Sequence, residues 1–309
     1  MRELSGKVAV VTGAGGGIGR ALALGLAAEG MSLMLADVEP GDLADTASLV
    51  EAVADGGKVL TEITDVSDPV AVEHLADRTF GELGAVHVLC NNAGVFQGGR
   101  MWTREPEDFA WPLGVNLWGI LHGVRAFVPR MIDQDTEGHI LNTVSAAGLF
   151  AIPYLGPYSV SKYAAFAASQ SLAQDLAAAG SRLRVTALCP GGVRTGLNRS
   201  GRHRPENLVA AGRAEDGDEE VSAAIIDGLV EEGIDPSEVA RAAVAAIREE
   251  RFLVLTHPGY AEILREQTEA LIAGALPSFS GRGDRAGGRD GGEVLPGPGE
   301  RGGGRSFRL

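Results

Sequence analysis

Tyr158 and Lys162 lie four residues apart at the start of an alanine-rich run that is typical of a helix. Residues at this spacing share one face of a helix, so the phenol and the ammonium group would be neighbours. A neighbouring positive charge favours the phenolate and lowers a tyrosine pKa below its usual value of about 10. The pair is therefore a candidate proton donor and acceptor for an alcohol or ketone oxygen. The same spacing is also common on amphipathic surface helices, so this interpretation needs support from the rest of the chain.

The N-terminal region has the features of a nucleotide site. Residues 7–12 form a short apolar, β-branched run typical of a buried parallel strand, and residues 20–29 form an Ala- and Leu-rich helical run. Bare main chain between such a strand and a helix N-terminus can approach a pyrophosphate, and the helix dipole favours its charge. Ile18 stands where Gly-x-Gly-x-x-Gly would need its third glycine. The spacing here is instead Gly-x-x-x-Gly-x-Gly, through Gly13, Gly17 and Gly19.

Asp37 ends a second apolar run, residues 32–36, eighteen residues after Gly19. A carboxylate at this place can accept hydrogen bonds from the adenosine ribose hydroxyls, and it repels a 2′-phosphate. No Lys or Arg occurs in the next three positions, 38–40. The sequence therefore predicts NAD as the cofactor in preference to NADP.

An ordered series of motifs resembles the short-chain dehydrogenase/reductase family over roughly residues 5–278. In chain order the motifs are Thr12-Gly13-x-x-x-Gly17-x-Gly19, Asp65-Val66, Asn91-Asn92-Ala93-Gly94, Asn116, Ser145, Tyr158 with Lys162, and Pro190-Gly191 followed by Val193 and Thr195. One such motif would be weak support. All of them in order and at ordinary spacing identify the chain as a member of this family.

The resemblance implies roles for the catalytic residues. Tyr158 would be the general acid and base, and Lys162 would lower its pKa and bind the nicotinamide ribose. Ser145 would hydrogen-bond the substrate oxygen, and Asn116 would hold a water in the proton relay. The nicotinamide would carry the hydride, while the protein supplies position, a proton and electrostatic stabilisation.

The resemblance also implies a cofactor site. Asp65 would touch the adenine edge, and residues 91–94 would close over the cofactor at the end of the fourth strand. Val193 and Thr195 would receive the nicotinamide carboxamide. The full set of expected cofactor-binding residues is Gly13, Gly17, Ile18, Gly19, Asp37, Asp65, Val66, Asn92, Ala93, Gly94, Tyr158, Lys162, Pro190, Gly191, Val193 and Thr195.

Apolar runs alternate with helical patterns along the chain. The apolar runs begin near residues 7, 32, 58, 86, 139, 184 and 252, and the helical patterns cover 20–29, 42–54, 69–80, 105–129, 158–178, 236–249 and about 260–273. This alternation predicts one α/β domain, residues 1–278, with a Rossmann-type doubly wound parallel sheet of about seven strands. Its functional site would lie at the carboxyl ends of the strands.

A glycine- and arginine-rich tail follows this domain. Residues 281–309 contain 11 glycines, 6 arginines and 4 acidic residues among 29. This segment has too few apolar side chains for their burial to offset the conformational entropy that folding would cost. We expect residues 279–309 to be a disordered extension without a role in turnover.

The net charge and the positions of the cysteines and histidines argue against several classes of partner and site. The formal net charge of −14 argues against nucleic acid as a partner. In the strand order that the resemblance implies, Cys90 and Cys189 end strands separated by a third strand. That separation of about 9–10 Å is beyond disulfide reach. We expect two free thiols, as in a reducing compartment, and no metal site, because the six histidines are scattered.

The N-terminal residues lack the pattern of a signal peptide, and no run of eighteen apolar residues occurs. We therefore expect a soluble, cytoplasmic protein without a membrane partner. The resemblance implies a homotetramer or homodimer that pairs through the helices containing Asn116 and Tyr158. The alanines of 158–178 would allow close helix packing, although they could equally pack on the sheet.

Three segments are expected to line a substrate pocket. Residues 146–157 are almost wholly apolar, and 95–97 add an aromatic ring. Residues 196–227 would form a lid, in which the acidic stretch 215–220 is typical of a mobile loop. An apolar pocket with one Tyr–Ser polar end suits a hydrophobic secondary alcohol or ketone of alicyclic, terpenoid or steroid-like shape.

Two other functions remain open at this stage. A basic cluster could bind the phosphate or carboxylate of an acyl thioester, or could be a solvated face that balances the acidic stretch. It consists of Arg194, Arg199, Arg202, His203 and Arg204. A non-catalytic dinucleotide sensor would usually lack the catalytic tyrosine or lysine, and both are present here.

Overall fold

The computed structural model describes residues 1–54, 56–209 and 217–277. The expectations for the 279–309 tail, and for Glu215 and Asp216 of the acidic stretch, lie outside these residues. Within them, seven parallel strands form one sheet in the order β3-β2-β1-β4-β5-β6-β7. The strands are β1 (Val8–Thr12), β2 (Ser32–Asp37), β3 (Val59–Ile63), β4 (Val88–Asn91), β5 (Gly138–Thr143), β6 (Leu183–Cys189) and β7 (Leu253–Leu255).

Helices cover both faces of the sheet, which explains why its central strands are continuously apolar. The described helices are α1 (Gly17–Ala28), α2 (Pro40–Glu51), α3 (Pro69–Leu83), α4 (Pro106–Leu113), α5 (Gly119–Asp133), α6 (Gly156–Ala178), α7 (Asp218–Glu231), α8 (Pro236–Glu249) and α9 (Tyr260–Ile272). One apolar core lies under α1, α2 and α8, and a second lies under α3, α5 and α6. The predicted doubly wound sheet is confirmed.

The strand order reverses between β1 and β4, which are hydrogen-bonded neighbours. In an open parallel sheet this reversal leaves a crevice at the carboxyl ends of the two strands. The loop after β1 and the loop after β4 meet there closely. A methyl group on Gly13, which has a φ of +66°, would lie 2.7 Å from the Ala93 Cα atom. A side chain at this glycine would therefore separate the two loops that form the crevice.

The helix expected over 105–129 is interrupted. A single π-helical turn, Gly114–Trp118, separates α4 from α5 and carries Asn116 at its centre. Asn116 is 1% exposed, and its amide bonds to the main chain of Val95 and to Ser161. Such turns recur at functional sites, and the helical periodicity of the sequence did not indicate this one.

A second difference concerns the acidic stretch. Its described residues Asp218, Glu219 and Glu220 form the first turn of α7, a helix that the sequence reading missed. Carboxylates near a helix N-terminus interact favourably with the helix dipole. For these residues the expected mobile loop is wrong.

Candidate active site

Tyr158, Lys162 and Ser145 converge where β5 meets α6. Tyr158 is 7% exposed, and the Ser145 hydroxyl hydrogen-bonds it. Lys162 Nζ lies 5.8 Å from the centre of the Tyr158 ring and donates to the Thr143 carbonyl at 3.0 Å. Ser145 follows β5 with a φ of +127°, a strained value for a residue with a side chain. The three predicted catalytic groups therefore share one site.

Burial dominates the proton affinities of this site. It raises the pKa of Tyr158 to about 12, which the hydrogen bond from Ser145 only partly offsets. It also lowers the pKa of Lys162 to about 8. The lowered tyrosine pKa expected from the sequence is wrong for the ligand-free protein, because removing the phenolate from water outweighs an ammonium group that makes its hydrogen bond elsewhere.

Asn116 lies behind this site rather than in its wall. Its Oδ1 accepts from the Val95 amide at 2.8 Å, and its Nδ2 donates to the Val95 carbonyl at 3.0 Å and to Ser161 at 2.9 Å. A methyl group on Gly94 would lie 3.3 Å from Asn116 Oδ1 and 3.4 Å from Lys162 Nζ. Asn116 is thus next to Lys162, and both N–H groups of its side chain already donate to acceptors within the protein. Its role in holding a water stays a prediction.

The β1–α1 turn provides an anion cradle. α1 begins at Gly17 with Gly16 as its N-cap, and neither a side-chain cap nor an acidic residue occupies the first turn. A methyl group on Gly16 would meet no atom within 4 Å, so this main chain faces the open cleft. A methyl group on Gly17 would lie 2.9 Å from Thr195 Cγ2. Free amides at a helix N-terminus, approached this closely by the opposite wall, fit a dinucleotide pyrophosphate.

Asp37 is fixed at one end of the cleft. Its carboxylate accepts hydrogen bonds from the Gly15 amide at 2.7 Å and from the Glu39 amide at 3.1 Å. These main-chain donors hold the charge beside the glycine turn, where an adenosine ribose would lie. Asp65 is held similarly, by the amide and hydroxyl of Ser67.

Asn92 links the strand ends that carry the two halves of the site. Its Nδ2 donates to the Thr12 carbonyl at 3.0 Å, and its Oδ1 accepts from the Thr143 hydroxyl at 3.0 Å. The Asn92 amide donates to the Thr12 hydroxyl at 2.9 Å. This network sets the spacing between the glycine turn and the Lys162 pocket.

Two further residues of the site, a histidine and a tyrosine, follow β7 and were not identified from the sequence. His257 hydrogen-bonds the Gly191 amide at 3.3 Å and the Gly192 carbonyl at 3.1 Å, and Tyr260 packs over the same turn. The available signal was their position directly after a strand, at the carboxyl edge where the site was expected.

One cleft of about 540 Å³ joins these parts. Its wall includes every predicted site residue except Asn116. The substrate end is mainly apolar, and it includes Val95, Phe96, Phe150, Ile152, Leu155, Ile226, Leu229 and Val230. The Phe96 ring lies 5.2 Å from the Tyr158 ring. The cleft therefore offers space beside the polar Tyr158–Ser145 end for an apolar molecule.

Residues 197–208, which we name the strap, cross the outer side of this cleft in two 3₁₀ turns, Leu197–His203 and Glu206–Leu208. On the substrate side, Ser200 accepts from the Phe96 amide at 2.9 Å. Arg204 pairs with buried Asp108 at 2.8 Å and also binds Gln97. These contacts attach the strap to the loop after β4 and to α4.

The opposite side of the strap reaches the Asp37 end of the cleft. His203 Nδ1 lies 3.1 Å from Glu39, and Arg202 lies 3.7 Å from Asp42. The strap thus joins the two halves of the cleft.

The basic cluster does not form one anion site. Three of its members lie on the strap, and each contacts an acidic residue outside it: Arg202, His203 and Arg204. Arg194 pairs with Asp235 at 3.1 Å. The cluster does not balance the described part of the acidic stretch either, since buried Asp218 pairs with Arg100.

The two cysteines are free thiols. Cys90 and Cys189 are buried on β4 and β6, on either side of β5, and burial raises the pKa of each thiol to about 12. Within the described ranges no group of His, Cys, Asp and Glu is placed to hold a metal. None of the helices in this part of the chain is long and apolar enough to cross a membrane.

Comparison with known proteins agrees with this geometry. The model of the family described as short chain dehydrogenase matches residues 7–206. A 1-deoxy-11-beta-hydroxypentalenate dehydrogenase from Streptomyces avermitilis is 39% identical over 199 residues, which are 64% of this chain and 72% of the relative.

Solved structures agree over more of the chain. A short chain dehydrogenase/reductase from Burkholderia phymatum in complex with NAD is 40% identical, with a TM-score of 0.86 over 91% of this chain and 99% of its own. An alcohol dehydrogenase from Thermococcus sibiricus complexed with 5-hydroxy-NADP is 27% identical, with a TM-score of 0.65 over 81% and 95% of the two chains. The chain belongs to the short-chain dehydrogenase/reductase family.

Proposed function

We propose that this protein is an NAD-dependent oxidoreductase that interconverts a hydrophobic secondary alcohol and its ketone. The observation that carries the proposal is the hydrogen-bonded Ser145–Tyr158 pair, which lies beside buried Lys162 at the apolar end of a cleft that begins at a glycine cradle. An acid–base pair next to a dinucleotide site is what alcohol and ketone chemistry requires.

The cofactor would be held by the chain's own main-chain donors and carboxylate. The N-terminus of α1 would receive the pyrophosphate, and Asp37 the adenosine ribose. Lys162 would bind the nicotinamide ribose, and Val193 and Thr195 would receive the carboxamide. A nicotinamide held there would supply the hydride donor or acceptor for the reaction.

The choice of NAD rests on Asp37, whose fixed negative charge would repel a 2′-phosphate. The relative from Burkholderia phymatum is in complex with NAD, whereas that from Thermococcus sibiricus is complexed with an NADP derivative. The family thus includes both types of complex, and the local charge favours NAD in this chain.

The protein's own chemistry is a proton transfer at Tyr158 Oη. Ser145 would hold the substrate oxygen, and Tyr158 would take its proton in oxidation or donate one in reduction. A phenol with a pKa of about 12 in the ligand-free site is a reluctant base. The positive charge of an oxidised nicotinamide would lower that pKa, so that Tyr158 becomes an effective base only beside the cofactor. Asn116 would complete the relay to solvent from behind Lys162.

The substrate class follows from the substrate end of the cleft, whose wall is mainly apolar beside Tyr158 and Ser145. The relative from Streptomyces avermitilis is named as the dehydrogenase of a hydroxypentalenate, a hydroxylated compound. An alicyclic or terpenoid alcohol is the best match to this wall.

The acyl thioester alternative is supported less well. It depended on a cationic cluster, and most of that cluster is paired with Asp235, Asp42, Glu39 and Asp108. A non-catalytic dinucleotide sensor would not need the convergence of Ser145, Tyr158 and Lys162.

The proposal is tested by following NADH absorbance with a panel of secondary alcohols and the matching ketones, beside Tyr158→Phe as the inactive control. Turnover of alicyclic alcohols by the wild-type protein alone supports the proposal. Turnover of 3-hydroxyacyl thioesters, without any free alcohol being accepted, would establish the alternative.

A further inference from the structure

Tyr260 occupies a defined position in the wall of the cleft. It begins α9 directly after Gly259, whose φ of +86° turns the chain inward. The residue is 8% exposed, and its ring stacks on His257 at 5.2 Å with an interplanar angle of 16°. The edge of the ring meets Phe150 at 5.7 Å. Two aromatic neighbours therefore fix the direction in which the Tyr260 hydroxyl points.

That hydroxyl lies against the turn that follows β6. A methyl group on Gly191 would be only 2.3 Å from Tyr260 Oη, so the oxygen is in contact with the Gly191 main chain. The preceding residue, Pro190, accepts a hydrogen bond from the Ala146 amide at 2.7 Å. Ala146 follows Ser145 directly. Tyr260 and Ser145 thus both neighbour one short turn, residues 190–191, and both line the cleft.

The Tyr260 hydroxyl has no hydrogen-bond partner among the residues that the structure describes. His257 cannot serve, since its Nδ1 is engaged with Gly191 and Thr256, and its Nε2 with Gly192. Burial raises the pKa of Tyr260, so the phenol keeps its proton and remains a donor. The Tyr260 oxygen is not among the fully buried unpaired atoms, so it is open to the cleft, where a ligand can bring an acceptor for its O–H group.

We propose that Tyr260 donates a hydrogen bond to a second oxygen of the substrate, so that the enzyme prefers secondary alcohols carrying an additional carbonyl or hydroxyl group on a compact alicyclic skeleton. This inference rests on the proposed function. It assigns Tyr260 to specificity, while Tyr158 and Ser145 act at the reacting oxygen. A site built to hydrogen-bond such an oxygen discriminates against the analogue that lacks it.

The test compares kcat/KM for decalol with kcat/KM for decalols that carry a keto or hydroxyl group on the second ring. The proteins are the wild type, Tyr260→Phe and Tyr154→Phe. The Phe ring keeps the stacking on His257 and Phe150, and melting temperature checks the fold. Tyr154→Phe makes the same chemical change at a tyrosine that is not in the cleft wall.

We expect the wild type to prefer an oxygenated decalol, and we expect Tyr260→Phe to reduce that preference by about tenfold, the typical effect of one lost hydrogen bond. Tyr154→Phe should keep the wild-type preference. An unchanged preference in Tyr260→Phe would overturn the inference while leaving the proposed function in place. An equal loss of kcat/KM on both substrate types, together with weaker NADH binding, would show that the Tyr260 hydroxyl contacts the cofactor. That result would also overturn the inference. A wild type that oxidises no decalol would overturn the inference, and one that oxidises no secondary alcohol of the panel would refute the proposed function itself.

Discussion

Lys162 donates its hydrogen bond to the Thr143 carbonyl at 3.0 Å, in a pocket that leaves the residue only 3% exposed. This burial lowers the pKa of the ammonium group to about 8, so the lysine is still charged at neutral pH. A buried charge destabilises the folded state unless it is well paired. The site therefore keeps a cation where the fold alone would favour an apolar side chain.

Lys162→Met should stabilise the ligand-free protein at pH 7 by about 1–3 kcal/mol, because it removes this buried charge. The folded pKa of about 8 lies below the ordinary 10.5. At this position the unfolded chain therefore binds more protons between these values, so the contribution of Lys162 to the free energy of unfolding rises with pH across that window. The advantage of the variant should accordingly shrink as the pH rises from 7 to 9.5, below the range in which tyrosines ionise.

Urea unfolding at both pH values measures this effect. Lys58→Met is the matched control, because Lys58 is exposed and its removal should change little. A Lys162→Met protein that is no more stable than the wild type at pH 7, or whose advantage grows with pH, would contradict the argument.

Asp37→Asn should reduce the preference for NAD over NADP. The wild type is expected to favour NAD by about tenfold or more, equivalent to about 1.4 kcal/mol of repulsion of the 2′-phosphate. The Gly15 and Glu39 amides donate to different oxygens of Asp37, so asparagine keeps one of these two hydrogen bonds while the charge is lost. The ratio of kcat/KM values for the two cofactors measures the effect. Equal turnover with both by the wild type would refute the assignment.

The strap should slow cofactor release through its Arg202–Asp42 ion pair and its His203–Glu39 contact across the cleft. Exposed pairs contribute up to about 1 kcal/mol each, so Glu39→Gln with Asp42→Asn should speed NADH release by about two- to tenfold. Added salt should accelerate wild-type release in the same direction. Stopped-flow NADH fluorescence measures the rate. Glu29→Gln, which breaks the Arg248–Glu29 pair outside the cleft, provides the control. Release that is insensitive to both salt and the double variant would show that the strap does not restrain the cofactor.

The fold could be predicted from the sequence because hydrophobic periodicity and strand-end motifs are local features of the chain. Seven apolar runs separated by helical periodicity dictate a covered parallel sheet, and the glycine turn and Asp37 fall at strand ends. The π turn at Asn116 was not readable, because it depends on hydrogen bonds to Val95 and Ser161, which are distant in sequence.

The proton affinities of the site were also beyond sequence reasoning. Spacing placed Tyr158 beside Lys162 correctly, but the Tyr158 pKa depends on how completely the surrounding residues exclude water. The ion-pair partners of Arg202 and Arg204 likewise depend on the path of the strap, which no local sequence pattern specifies.

Assembly is expected to use the faces of α5 and α6. Trp118, just before α5, is 52% exposed, and Val160 and Tyr163 are 38% and 39% exposed on α6, so both faces offer apolar surface to a partner. Light scattering should give a dimer or tetramer for the wild type and smaller particles for Trp118→Arg. Val70→Arg, at an exposed position of α3, should leave the size unchanged. A monomeric wild type at micromolar concentration would refute this prediction.

The central claim is that Tyr158 Oη moves the substrate proton, and turnover by Tyr158→Phe tests it most directly. The variant keeps the ring against Phe96 and removes only the hydroxyl. Tyr163→Phe, five residues further along α6, is the matched control. Alcohol oxidation by Tyr158→Phe should fall by about a hundredfold or more, while the NADH dissociation constant stays close to that of the wild type. Near wild-type oxidation by Tyr158→Phe would contradict the account.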